Sequence, residues 1–126
     1  MAPPESVPRI QHSAELATEC IQWSTSHTPI LLQFGSEKCD DCPAFTEAVQ
    51  ALAEEYEFVW RYCDAHEEND FLETYGITKL PALVIVRNGT DEIVQQRVDA
   101  AQLRTTVRER CARKRPADLD LFSADF

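Results

Sequence analysis

The sequence predicts an α/β fold, an open mixed central sheet with helices on both faces, and three patterns carry the prediction. Ile30–Phe34 and Ala82–Val86 are almost wholly apolar and too short for helices, so they read as strands covered on both sides. Around them, apolar residues recur every three or four positions, the period of helices packed on a sheet. Asn88-Gly89 is a two-residue hairpin signal, because both positions of that turn need positive φ. A chain of 126 residues, 44% of them hydrophobic, is the size of one compact domain that buries its core without crosslinks.

Taken in order, residues 1–9 carry three prolines and form a loose lead-in, with a short strand near Val7–Gln11. Ser13 is the candidate N-cap of a first helix bearing Leu16, Cys20 and Trp23, which ends before Thr28-Pro29. The strand Ile30–Phe34 follows, and after Cys39 comes a helix with Phe45, Val49, Leu52 and Tyr56 on one face. Phe58–Cys63 is the next strand, and Phe71, Leu72 and Tyr75 mark a shorter helix that Gly76 stops. Ala82–Val86, the turn at Asn88-Gly89 and a polar edge strand over Glu92–Val98 form a hairpin. Leu103, Val107 and Cys111 line a last helix. Residues 10–112 thus make one βαβαβα-ββα domain, and residues 113–126 form a tail in which a basic stub precedes an acidic and apolar run.

A formal net charge of −10 argues against a nucleic-acid partner, since phosphate neutralisation needs a basic surface. No apolar run approaches the roughly 20 residues that span a bilayer, and Met1-Ala2-Pro3-Pro4-Glu5 lacks both a basic and an apolar segment. The expectation is therefore a cytoplasmic protein with no membrane contact. Five cysteines, only Cys39 and Cys42 of them close in sequence, do not make a structural disulfide framework. Catalysis, metal binding and plain burial remain as their uses.

Cys39-Asp40-Asp41-Cys42 follows a buried strand and opens a helix. A helix N-terminus presents unpaired N–H groups and partial positive charge, which stabilise a thiolate, the form that attacks a disulfide. At a spacing of two residues, a mixed disulfide on Cys39 can be resolved by Cys42. These features make the pair the candidate redox centre.

The sequence resembles the thioredoxin family from about Ile10 to Cys111. The resemblance rests on Phe34, on Cys39-x-x-Cys42, and on Tyr75-Gly76-Ile77-Thr78-Lys79-Leu80-Pro81-Ala82-Leu83 running on to Arg87-Asn88-Gly89. It implies the thioredoxin fold and protein-disulfide reduction with no bound cofactor. It also implies electrons drawn from NADPH through a thioredoxin reductase, with glutathione as the alternative donor. The proline at Pro81 is implied to be cis and to face the cysteine pair, leaving the backbone at Leu80 free for an extended substrate. A thioredoxin-related group with Asp between its cysteines tolerates a carboxylate there.

Several residues depart from the family pattern. Lys38 stands where a tryptophan is usual, and Asp40-Asp41 replace Gly-Pro. The two carboxylates oppose a thiolate while Lys38 and the helix end favour it. Gln33 aligns with the buried Asp that accepts the resolving cysteine's proton, and an amide does not titrate near neutrality. His66, at the same sheet end as the cysteines, is the nearest substitute base by alignment. These five residues, Gln33, Lys38, Asp40, Asp41 and His66, are the candidate tuning set.

Two other function classes fit the residues. Cys39, Cys42, Cys63 and His66 are three sulfurs and an imidazole, the ligand set of a zinc-stabilised binding module. A redox-inactive adaptor on the same fold is the other. Cys20, Cys111, Trp23 and Trp60 read as core side chains. In the tail, Asp118, Asp120 and Asp125 alternate with Leu119, Leu121, Phe122 and Phe126. Phe122-Ser123-Ala124-Asp125-Phe126 looks like the C-terminal peptide by which eukaryotic-type ribonucleotide reductase small subunits dock on the large subunit. The large subunit is thus the specific partner guess among disulfide-containing targets.

Overall fold

The computed structural model describes residues 7–114. Its elements are α1 (Ser13–Trp23), β1 (Ile30–Gly35), α2 (Cys42–Glu55), β2 (Tyr56–Glu57), β3 (Val59–Asp64), α3 (Phe71–Tyr75), β4 (Ala82–Arg87), β5 (Asp91–Gln96), α4 (Ala100–Arg110) and β6 (Ala112–Arg113). The main sheet has the order β3-β1-β4-β5, with β1 parallel to β3 and antiparallel to β4, and β4 antiparallel to β5. It is the open mixed sheet that the apolar runs imply.

All six residues of β1 are buried, because helices cover both of its sides. Alternation along the strand sorts the core into two layers. Ile30, Leu32 and Phe34 pack with Leu16, Cys63, Phe71 and Val84 on the side of α1 and α3. Leu31 packs with Phe45, Val49, Leu83, Leu103 and Val107 on the side of α2 and α4. At the edge, β5 alternates half-buried and exposed residues, the pattern of a strand with one wet face. In the hairpin turn, Asn88 and Gly89 both have positive φ, 57° and 75°. Gly76 ends α3 in the left-handed region at φ 66°.

The expected first strand is a single parallel bridge between Arg9 and Tyr62, flanked by Tyr62 N–H donating to Pro8 O and Ile10 N–H donating to Tyr62 O. Residues 8 and 9 are thereby held on β3 rather than lying in a loose lead-in. The N-cap of α1 is His12, one residue before Ser13, and its N–H donates to the Glu15 carboxylate. α2 stops at Glu55, and Tyr56, expected on its face, is extended instead and pairs with Arg113. Glu57 pairs with Ala112, and Lys114 N–H donates to Glu55 O, so Arg113 and Lys114 belong to the domain. Strand β5 ends at Gln96, before Val98, because Arg97 turns out of extended geometry at φ 52°. The tail from residue 115 onward lies outside the described residues.

Candidate active site

The loop between β1 and α2 carries the cysteine pair. Cys39 N–H donates to Ser36 O, Lys38 N–H donates to Ser36 Oγ, and Cys42 N–H donates to Cys39 O. These turns place Cys39 just ahead of the helix, with Asp41 as N-cap and Cys42 as the first helical residue. The helix therefore opens at Cys42 and not at Cys39. The two sulfurs are joined, with Cα atoms 5.3 Å apart, inside the range that a disulfide requires. Cys39 is half-buried and reachable, while Cys42 is buried at 1% exposure. One sulfur of the pair is thus approachable from outside and the other is sheltered behind it.

The Leu80–Pro81 peptide is cis, and two concavities meet at this dipeptide. One, of about 380 Å³, is lined by Lys38, Cys39, Asp40, Asp41, His66 and Leu80 among others. The other, of about 530 Å³, is lined by Asp41, Phe45, Leu80, Pro81, Arg97 and Asp99 among others. The structure thus gathers Lys38, Asp40, Asp41 and His66 around the outer sulfur, all four exposed. His66 is on the Cys39 side, with its backbone N–H donating to Asp64 Oδ1, and does not reach into the buried layer with Gln33.

Gln33 lies apart, fully buried on the α2 side of the sheet. Its Nε2 donates to Thr46 Oγ1 over 2.7 Å, and its Oε1 accepts from Trp60 Nε1 over 2.9 Å. Trp60 is accordingly half-buried, packed against the core layer on the α2 side and bonded to Gln33 as well. Trp23 is likewise half-buried, its indole N–H donating to Glu19. Neither Thr46 nor Trp60 is among the candidate site residues of the sequence, because a threonine in a helix and a tryptophan in a strand carry no local signal of a shared bond.

Gln96 is a further residue that the sequence pattern does not mark. Its Oε1 accepts from the N–H groups of Thr78 and Lys79 at 2.8 and 3.0 Å, and its Nε2 donates to Gly76 O. One amide from the edge strand thereby holds the loop that leads into Leu80–Pro81. Val98 N–H donates to Pro81 O from the other side.

The zinc set is not assembled. Cys63 packs in the layer of Phe34 and Phe71 on the α1 side of the sheet, whereas Cys42 opens α2 on the other side. Among the described residues no cluster of three or more His, Cys, Asp or Glu is placed to hold a metal. Burial pushes the Cys63 and Cys111 thiols up to about 12. Cys20 is half-buried beside Tyr75 and Glu92 and packs against the edge of the α1-side core layer. Its thiol is raised by burial first and then by Glu92 and Glu19.

Known proteins place this geometry in a family. Residues 11–109 match the thioredoxin family model. Thioredoxin of Fasciola hepatica superposes with a TM-score of 0.71 at 18% identity, covering 82% of this chain and 99% of that one. Reduced Schistosoma mansoni thioredoxin pre-protein gives 0.71 at 14% identity over 82% and 97% of the two chains. A mutant thioredoxin from Halobacterium salinarum gives 0.65 at 22% identity over 92% and 99%. No curated protein matches the chain in sequence. The family model spans most of the chain, the fold superposes on the solved thioredoxins, and the paired cysteines stand where a thiol–disulfide oxidoreductase needs them: the chain belongs to the thioredoxin family.

Proposed function

We propose that the protein reduces disulfides in target proteins through the Cys39–Cys42 dithiol. The observation that carries this reading is the asymmetry of the pair: Cys39 lines a groove beside Leu80, while Cys42 is buried behind it at the start of α2. Cys39 thiolate attacks a target sulfur and forms a mixed disulfide, and the target's other sulfur leaves with the electron pair and takes up a proton. Cys42 thiolate then attacks Cys39, forming the intramolecular disulfide and releasing the second target sulfur. Two electrons pass to the target in each cycle. A thioredoxin reductase using NADPH restores the dithiol, with glutathione as the alternative donor, in a reducing compartment such as the cytoplasm. The acidic balance of the chain favours protein targets over nucleic acid or anionic membrane.

In a lysate, Cys42→Ser is expected to accumulate target proteins on Cys39, and Cys39→Ser to trap none. Wild-type protein is expected to accelerate insulin reduction by dithiothreitol, with both single variants at background. Wild-type protein that leaves insulin reduction at background makes this fold an adaptor, and single variants as fast as wild type place the chemistry elsewhere.

The proposed partner for the tail is a ribonucleotide reductase large subunit, whose disulfide a tethered reductant would meet at raised effective concentration. Removing residues 116–126 is expected to leave insulin reduction intact and to weaken binding to the large subunit from the same source. Equal binding of the full-length and truncated proteins discards that partner.

A further inference from the structure

On the α2 side of the sheet runs a hydrogen-bond chain with a fixed direction. An indole nitrogen only donates, so the Trp60 Nε1–H, 2.9 Å from Gln33, requires the amide oxygen at that end. The other end of the amide is then Nε2, and it donates to Thr46 Oγ1 over 2.7 Å. Because the Thr46 oxygen accepts, its own hydrogen is left to turn elsewhere. Thr18 and Thr74 spend theirs on the carbonyl four residues back, at Ala14 and Asp70. Thr46 makes no such bond to Cys42 O among the described residues.

The residue four positions before Thr46 is Cys42. Side chains at i and i+4 share a helix face, and the later one leans back over the turn before it. Cys42 and Thr46 are 1% and 4% exposed, so a hydrogen bond between them is little screened by bulk water.

We propose that the Thr46 hydroxyl donates a hydrogen bond to the Cys42 sulfur when that sulfur is a thiolate, with Trp60 and Gln33 positioning it. This assignment rests on the disulfide-reductase reading and supplies what its second step lacks, a buried group acting on Cys42. No proton is transferred by Thr46. Cys42 gives its proton to water, its thiolate attacks Cys39 Sγ, the Cys39–Cys42 bond forms, and the bond from Cys39 to the target breaks. The electron pair leaves on the target sulfur, which takes a proton from water. The hydroxyl lowers the energy of the thiolate before the attack, as a hydrogen bond to a charged group does.

The charged groups near the pair cannot substitute for this donor. Lys38, Asp40, Asp41 and His66 line the groove on one side and Arg97 and Asp99 the groove on the other, all exposed and screened. From β1 the group bonded to Thr46 is Gln33, and Trp60 on β3 is bonded in turn to Gln33; neither titrates near neutrality.

The test follows Cys42 in the full chain carrying Cys39→Ser, by NMR titration of labelled cysteine Cβ. Adding Thr46→Val or Thr46→Ala is expected to raise the Cys42 midpoint by about one pH unit, and Thr46→Ser to leave it close to the parent. In stopped-flow resolution of a Cys39 mixed disulfide, a less stabilised thiolate is scarcer but more nucleophilic. With a Brønsted slope near 0.45, Thr46→Val is expected to be about 3-fold slower than wild type below the midpoint and about 3-fold faster above it. A change in packing alone does not produce that crossing. A Cys42 midpoint that stays put or falls in both Thr46→Val and Thr46→Ala overturns the assignment. Failure of the wild-type protein to reduce insulin would instead overturn the parent reading, and the titration reads Thr46 independently of it.

Discussion

Cys42 and Cys63 are both almost wholly buried, at 1% and 0% exposure, yet they belong to two different kinds of site. Cys63 is the fifth of six residues in β3, with Phe34 as its register partner on β1, in the same core layer as Leu16, Phe71 and Val84. Its sulfur has only a 3.9 Å contact to Asp64 O, and burial raises the thiol to about 12. Cys42 starts a 14-residue helix, is bonded to a half-exposed partner, and has Thr46 one turn behind it on the same face. Burial by itself makes a thiol inert. An approachable sulfur next to it and polar groups fixed behind it are what separate a redox site from core filling.

The widest separation between the two kinds of site is in reaction rate. With reduced native protein at pH 8, a thiol at about 12 is ionised to roughly one part in ten thousand. Iodoacetamide followed by mass spectrometry is expected to label Cys39 first, with Cys63 and Cys111 slower by at least ~10³-fold until the chain is unfolded. Cys20, half-buried, is expected to fall between. Comparable labelling of Cys63 and Cys39 in the folded state would erase the distinction.

A smaller effect sharpens the comparison on the side of stability. Cys63→Ser puts a hydroxyl among apolar side chains and is expected to cost about 1–3 kcal/mol in urea unfolding, with insulin reduction unchanged. The wild-type thiol also sets an alkaline limit. Its folded value of about 12 lies above its ordinary 9.0, so its contribution is fully present below pH 9 and is lost as pH rises toward 12. The slope in that window is up to about 1.4 kcal/mol per pH unit, and Cys63→Ala is expected to remove this share of it. An alkaline slope unaltered by Cys63→Ala would mean that the thiol does not sense its burial.

Much of this architecture is legible in the sequence where a repeating period carries it. β1 and β4 show as apolar runs, α2 and α4 as three-or-four spacing, and the hairpin as Asn88-Gly89. What escapes the sequence depends on partners far along the chain. Gln96 holds the backbone at Thr78 and Lys79 from 18 and 17 positions away, and Trp60 meets Gln33 across 27. No local pattern marks such residues, since an amide on a wet edge strand and an indole in a half-buried strand are ordinary in themselves. β2 and β6 are two residues each, too short for any period to show. The zinc constellation fails for a related reason: ligand spacing counts residues but does not say to which face of a sheet each side chain points.

The clasp of Tyr56–Glu57 with Ala112–Arg113 fixes where the described chain leaves the domain. Lys114 is bonded to Glu55, the last residue of α2, while Cys42 is the first. A 14-residue helix is about 20 Å long, so Lys114 and the disulfide sit at opposite poles of the molecule. The far pole is a natural handle: a bead, a fluorophore or a fused enzyme joined after Lys114 leaves the reactive face pointing into solution, and protein immobilised there should reduce insulin as freely as protein in bulk.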